Sequence, residues 1–326
     1  MYGLPELVQR FVRLTPEGLD GFFNPVPENY CGPGYWVAIA ARGRARSVKI
    51  DDLQLTAPKL GYARAISLEA ALGTADTYPY ERSNQGSSYS PLVVLSDVDE
   101  TDRANSCINS CIRALFPAAE LKPFVMALCD VVGDMHDNVW SHGDSTGISM
   151  AQRWNKPQSR GHEQHLEFAL ADCGYGFLNE LKRSGIASKQ GIAGHVDAIR
   201  WCIQKGHSSK KREDDGWTQR LPQDVMGNPM GATARVRDKE NNHLGLGLYK
   251  LTELVRAFSG ELWLVSGDAM FHLQPSSETF TKIPCPWQGV ALACRFSTDA
   301  VLRQAKRLES TPDELDRLLG AVLGGN

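Results

Sequence analysis

The segment 122–142, KPFVMALCDVVGDMHDNVWSH, restricts the fold more than any other part of the chain. Its apolar side chains recur at three- and four-residue steps, at Phe124, Leu128, Val131, Met135 and Val139. This spacing predicts one long amphipathic helix, because residues three and four apart share a helix face. Strand-like patterns follow this segment, so the economical architecture is a mixed sheet with helices on one face.

Patterns on either side of this helix predict the neighbouring elements. Residues 100–116 place Ala104, Cys107, Cys111 and Leu115 on one helical stripe that ends at Pro117. Residues 147–154 and 165–172 predict strands, because apolar side chains alternate in the second of them at Leu166, Phe168 and Leu170. Further along, we expect a helix at 244–258, a strand at 260–267, a hairpin pair around 277–283 and 289–296, and two surface helices at 299–310 and 312–323.

Residues 1–100 carry short apolar runs between turns marked by Pro and Gly, and they predict a small α/β N-terminal domain. The polar stretch 76–90 is loop-like in composition. We find no functional motif before it. The predicted organisation is therefore an N-terminal domain over 1–100, a larger α+β domain over 101–298, and C-terminal helices over 299–326.

Composition and charge exclude several classes of protein. The net charge is −3, from 35 basic and 38 acidic residues, so no overall basic field exists to attract nucleic acid. No apolar run approaches bilayer length, and we expect a cytoplasmic protein without membrane contact. Eight cysteines without a CxxC pair predict buried free thiols. Cys107 and Cys111 share a helix face, but core packing is favoured over a metal site because no histidine precedes His136.

The opposite face of the long helix carries the first candidate chemistry. Asp134, Asn138 and His142 are spaced by four, so they line one polar stripe. A carboxylate one turn from a carboxamide suits a site where the carboxylate takes a proton and the amide oxygen binds Mg²⁺. When the stripe is taken alone, a solvated helix face explains it better than a site does.

Two glycine-containing segments are the other candidates. The strand ending at Asp172 is followed by a turn with Gly174 and Gly176, which lets a flat ligand approach the backbone while the carboxylate accepts from an exocyclic amine. Gly245 and Gly247 precede a helix, where backbone N–H groups can hold phosphate oxygens. An ordinary turn and ordinary helix punctuation are the alternatives for each segment alone.

The order of these three segments resembles the N box, G1 box and G2 box of the GHKL superfamily of ATP-binding domains. Asn138 matches the N-box asparagine, Asp172 with Gly174 and Gly176 match G1, and Gly245 with Gly247 match G2. The strand GELWLVSG, with Ser266, is similar to the family's continuation after G2. The resemblance implies a Bergerat-type two-layer α/β sandwich that binds ATP with Mg²⁺ through Asn138. It also implies that His142 and Ser266 belong to the nucleotide site and that Asp134 is the catalytic base.

The chain departs from the family pattern in several places. Asp134 replaces the N-box glutamate, so its reach to water is shorter, and His243 replaces the usual first glycine of G2. About 65 residues separate Gly176 from Gly245, and we expect the polar part, 206–243, to be a lid. Its basic run 210–212 is either a contact to the γ-phosphate or a solvated charge run.

The resemblance leaves two functions open. The first is a stand-alone Mg-dependent ATPase or Ser/Thr protein kinase, similar to the anti-sigma-factor kinases, which acts on a protein partner such as a small STAS-like protein. The second is a nucleotide-gated interaction switch with little turnover. A sensor kinase that phosphorylates its own histidine is excluded, because the first histidine, His136, lies inside the N box. Homodimerisation stays open.

Overall fold

The structure is a computed structural model that describes residues 2–10, 29–143, 145–155, 163–207 and 247–311, with 313, 318, 320 and 322. The helices described are α1 Leu4–Arg10, α2 Pro33–Ala45, α3 Ala57–Ala65, α4 Leu68–Leu72, α5 Val98–Leu115, α6 Lys122–Gly143, α7 Gly176–Arg183, α8 Ile186–Gln190, α9 His195–Cys202, α10 Gly247–Ala257 and α11 Thr298–Glu309. The strands are β1 Val93–Leu95, β2 Gly147–Asn155, β3 Gln164–Asp172, β4 Glu261–Gln274 and β5 Ser277–Ser297.

These elements form a mixed α+β fold in which the predicted long helix is α6. The predicted strands 147–154 and 165–172 are confirmed as β2 and β3, and the helix expected at 100–116 is α5. The hairpin expected between 277–283 and 289–296 is wrong. That whole segment is the single strand β5, which pairs with β4 across the turn at residues 275–276. The helix expected at 312–323 lies largely outside the described residues.

The sheet has five strands in the order β1-β2-β3-β5-β4, and each neighbouring pair runs antiparallel. The expectation of a mixed sheet is therefore not met in the described part of the chain. The short link from β2 to β3 and the tight turn from β4 to β5 favour antiparallel pairing, since parallel neighbours need a long crossover connection. Hydrophobic alternation within a strand does not encode strand direction.

One face of this sheet packs against α5, α6, α10 and α11. Leu166, Phe168 and Leu170 of β3 point into this layer, as the alternation predicted. Their partners on the helices include Leu128 and Val131 of α6. This side of the sheet holds the larger core and carries every element with a candidate site motif.

The opposite face of the sheet is covered as well, which differs from the expected single helical layer. Ala169 and Ala293 point toward α2, whose residues Trp36 and Val37 are fully buried. Gly34 permits close packing there, because a Cβ at this position would lie 2.9 Å from the Cβ of Ala293. Small side chains on this face let a helix approach the sheet closely. The local sequence patterns in the first 100 residues did not indicate that their helices would pack against this face.

Residues 29–100 thus build a layer against the sheet and also contribute its edge strand β1. They are mainly helical, and the polar stretch 76–90 contains no helix or named strand. The loop is held in place by Glu69, whose carboxylate accepts from the backbone N–H of Thr77 at 2.8 Å, and by Arg82, which donates to the carbonyl of Ala65 at 2.8 Å. None of the helices in the described ranges is long and apolar enough to cross a membrane.

Candidate functional site

The polar stripe of α6 faces α10. Asp134 is buried and its Oδ2 accepts from Nζ of Lys250 at 3.0 Å, while Oδ2 of Asp130 accepts from the same ammonium at 3.0 Å. Asn138 lies one turn further along and is partly exposed. Position 142 belongs to α6, but the side chain of His142 lies outside the described part of the structure. The solvated-face interpretation therefore fails for Asp134, which is enclosed and ion-paired.

Gly247, the first residue of α10, packs directly onto this stripe. A Cβ at position 247 would lie 3.0 Å from the Cβ of Asp134 and 3.3 Å from Nδ2 of Asn138, and it would also meet Cε of Met135. Only a glycine lets the start of α10 come this close to α6. The N-box and G2-box segments, more than 100 residues apart in sequence, therefore meet in the fold. Gly245 and His243 lie outside the described residues, as do Lys210, Lys211 and Arg212.

The G1 segment forms a tight turn at the end of β3. Oδ1 of Asp172 accepts from the backbone N–H of Gly174 at 2.8 Å, so the aspartate side chain closes the turn on its own backbone. Gly176 has a φ of +70°, and a Cβ there would lie 2.8 Å from the carbonyl oxygen of Gly289. Gly174 serves as a donor to the Asp172 carboxylate, which is the ordinary turn given above as the alternative, and of the two glycines Gly176 alone adopts a positive φ.

Ser266 joins this turn to β4 and β5. Its hydroxyl accepts from the backbone N–H of Phe177 at 3.1 Å and donates to the carbonyl of Gly289 at 3.0 Å. Gly289 has a φ of +86°, and a Cβ there would lie 2.5 Å from Oδ1 of Asp172. Sequence analysis missed Gly289, although an isolated glycine at a strand irregularity is a recognised signal of close backbone approach.

The two halves of the candidate site lie at the same end of the sheet. Val139, which follows Asn138, contacts the start of β2, since a Cβ at Gly147 would lie 2.7 Å from Cγ1 of Val139. Gly147 is the cross-strand partner of Asp172. The α6 stripe and the G1 turn are therefore neighbours across one strand pair.

The carboxyl group of Asp172 is buried, and burial raises its pKa from 3.8 to about 6. Hydrogen bonds from the backbone N–H groups of Gly174 and Val290 favour the charged form, but burial outweighs them. The carboxyl is thus ionised at neutral pH and becomes protonated in mild acid.

His136 lies on the side of α6 that faces the sheet and is fully buried. Its Nδ1 lies 2.7 Å from Oδ1 of Asn105 and its Nε2 lies 2.8 Å from Oγ of Ser149. Burial lowers its pKa to about 3, so the imidazole is neutral and links α5, α6 and β2.

All eight cysteines are free thiols, as predicted. Cys31, Cys111, Cys285 and Cys294 are also buried, whereas Cys107, Cys129, Cys173 and Cys202 are only partly buried. Cys107 and Cys111 form no metal cluster: within the ranges described, no group of three or more His, Cys, Asp or Glu side chains is placed to hold a metal ion. Mg²⁺ bound with a nucleotide does not require such a group, because phosphate oxygens and water supply most of its ligands.

The chain was compared with known proteins at three levels. No family model, no curated protein and no solved structure matches it. The functional assignment therefore depends on the motifs and on how the fold arranges them.

Besides Gly289, sequence analysis did not identify Lys250 and Asp130 as residues of the site region. Lys250 sits three residues after Gly247, but a lysine in the first turn of a helix carries no distinctive pattern. Asp130 precedes Asp134 by one turn, which is a visible spacing. The spacing alone does not indicate an ion pair, because the cation, Lys250, lies 120 residues away in the sequence.

Proposed function

We propose that this chain binds ATP with Mg²⁺ between α6, the β3–α7 turn and the start of α10. The observation that carries the proposal is the close approach of Gly247 to Asp134 and Asn138, with the Asp172 turn at the same end of the sheet. Three sequence segments that resemble the GHKL motifs are thus neighbours in space.

Each segment suits one part of the nucleotide. The carboxylate of Asp172 accepts from the exocyclic amine of adenine, which distinguishes adenine from guanine. The N-terminus of α10, at Gly247, attracts phosphate oxygens through its helix dipole and free N–H groups. Asn138 contributes one oxygen to the Mg²⁺ that holds those phosphates.

We infer that the activity is a Mg-dependent ATPase or a Ser/Thr protein kinase that acts on a protein partner, with Asp134 as the base toward water or a hydroxyl group. The alternative, a nucleotide-gated interaction switch with little turnover, is supported by the ion pair of Asp134 with Lys250. A carboxylate with an ammonium partner accepts a further proton less readily. A STAS-like protein is the partner class that either function suggests.

Calorimetry with ATP and GTP tests the binding proposal. ATP should bind more tightly than GTP, because guanine presents a carbonyl to the carboxylate of Asp172 where adenine presents an amine. Asp172→Ala should cost about 1–3 kcal/mol of ATP binding, since the amine then has no acceptor. Equal ATP affinity in the wild type and this variant contradicts the assignment.

Two further measurements separate the functions. Asn138→Ala should weaken binding in the presence of Mg²⁺ more than in its absence, because only the Mg-bound nucleotide uses the amide oxygen. Incubation with γ-labelled ATP and co-purified partners then distinguishes free phosphate, which indicates an ATPase, from labelled partner, which indicates a kinase. Tight binding with neither product indicates the switch.

A further inference from the structure

Lys250 is an enclosed ammonium group shared by two carboxylates. Its side chain and that of Asp134 are each only 4% exposed, whereas that of Asp130 is 42% exposed. Nζ lies 3.0 Å from Oδ2 of each aspartate. Asp134 is therefore the inner partner and Asp130 the outer one, which reaches solvent.

Each of the two inner groups compensates the charge of the other at this depth. A buried carboxylate that lacks a partner becomes protonated, and a buried lysine without a partner loses its proton. Burial by itself pulls the pKa of Lys250 down, but hydrogen bonds and charges from Asp134 and Asp130 outweigh it and raise the pKa. The ammonium is thus firmly protonated, and its charge holds Asp134 in the carboxylate form.

The position of Lys250 ties this pair to the proposed nucleotide site. Lys250 lies in the first turn of α10, three residues after Gly247. Helical side chains lean toward the N-terminus, so its ammonium reaches back toward the end of α10 where Gly247 contacts Asp134. One aspartate therefore meets both the backbone and the cation of the same helix turn.

We propose that Lys250 is a positioning residue that holds Asp134 ionised and oriented beside the start of α10, so that loss of the ammonium affects turnover more than nucleotide affinity. This inference rests on the proposed function, in which Asp134 takes a proton and α10 binds phosphate. The ammonium lowers the proton affinity of Asp134, and in return it favours the ionised carboxylate, which is the form that can accept a proton. Lys250 acts through Asp134.

The test uses the full chain with four variants. Lys250→Met removes the charge, and Lys250→Arg keeps it. Lys250→Met combined with Asp134→Asn removes both charges. Arg256→Met is the matched control, because Arg256 lies on the same helix and forms exposed ion pairs with Glu253 and Glu278.

The first readout is the infrared spectrum at neutral pH, which needs no nucleotide. Lys250→Met should gain the C=O band of a protonated carboxyl group. The band should be absent from the wild type, from Arg256→Met and from the double variant, which assigns it to Asp134. A Lys250→Met spectrum without this band overturns the inference, whether or not the protein binds ATP.

The second readout is kinetic. Phosphate release or partner labelling should fall in Lys250→Met by about the 10²- to 10⁴-fold expected for loss of a general base, with ATP affinity little changed. Lys250→Arg should recover most of the rate, and the double variant should be no slower than Asp134→Asn alone, since residues that act as a unit are non-additive. Unchanged or faster turnover in Lys250→Met overturns the inference.

The two proposals fail separately. A wild-type chain that does not bind Mg-ATP in calorimetry contradicts the proposed function, while the infrared band still decides the role of Lys250. If the wild type binds ATP without turnover, the infrared result decides alone. If Lys250→Met does not fold, the double variant should restore folding, because removal of both charges leaves no uncompensated one. Failure to restore it counts against the ion pair.

Discussion

The sheet carries a buried ion pair on each face, and the two are built differently. On the α2 side, Glu167 is fully buried and accepts from the backbone N–H of Gly34 at 2.9 Å and from Nε and Nη2 of Arg295 at 3.1 and 2.9 Å. The guanidinium also lies over the rings of Trp154 and Trp263. On the α10 side, the single ammonium of Lys250 serves both Asp134 and Asp130.

The difference indicates which charge serves the fold and which serves a site. A guanidinium fork that meets one carboxylate at two points fixes its geometry, and the bond to Gly34 anchors the start of α2 on the sheet. A lysine offers a point charge on a flexible stem. Its partner Asp134 adjoins the glycine that begins α10 and the amide of Asn138, whereas Glu167 accepts a hydrogen bond from the backbone of Gly34 at the start of α2. We therefore expect the two faces to respond differently to substitution.

The largest effect should come from breaking the pair on the α2 side. Arg295→Met leaves Glu167 buried without its cation, so the free energy of unfolding should fall by about 3–5 kcal/mol. Denaturant unfolding measures the change. Arg256→Met, which breaks exposed ion pairs, should cost only about 0–1 kcal/mol. If Arg295→Met and Arg256→Met lower the free energy of unfolding by similar amounts, the Glu167–Arg295 pair does not stabilise the fold more than a surface ion pair does.

The buried carboxylate of Asp172, in contrast, should oppose folding at neutral pH. The pKa of Asp172 is raised from 3.8 to about 6, so the folded state binds the proton more tightly than the unfolded state does. The contribution of this group to stability is therefore highest near pH 4 and is lost as the pH rises through about 6. At pH 7 the loss amounts to about 3 kcal/mol at most.

Asp172→Asn should consequently be more stable than the wild type at pH 7 and equal to it near pH 4, while ATP binding weakens. The measurement is the difference in unfolding free energy between the two proteins across this range. A difference is needed because His136, with its pKa lowered to about 3, makes both proteins lose stability as the pH falls. A constant difference at all pH values speaks against a buried, titrating Asp172.

Alanine substitutions at two glycines near the site should change the free energy of unfolding by a smaller amount. Gly247→Ala places a Cβ 3.0 Å from the Cβ of Asp134, so α10 must shift, at a cost of about 1–3 kcal/mol and with weaker ATP binding. Gly133→Ala is the matched control on α6, where no atom lies within 4 Å of the new Cβ. It should stabilise the helix by about 0.5–1 kcal/mol. Thermal unfolding and calorimetry of both variants test the contrast.

The sequence alone was enough for the helices and strands around the site. Periodicity located α6 and β3 within one or two residues, and Asp172 with Gly174 and Gly176 was recognised as a turn. These features are local, since each depends on residues a few positions apart. The same holds for Cys111, whose place on the stripe of α5 predicted its burial.

Only the tertiary structure decided how these elements are arranged. It showed that the sheet is antiparallel in the described residues, that α2 covers its second face, and that Asp134 is ion-paired with a lysine 116 residues away. Strand direction and the docking of a helix leave no trace in local periodicity. An ion pair between distant residues exists only because packing removes both charges from water together, so no local pattern could have identified Lys250.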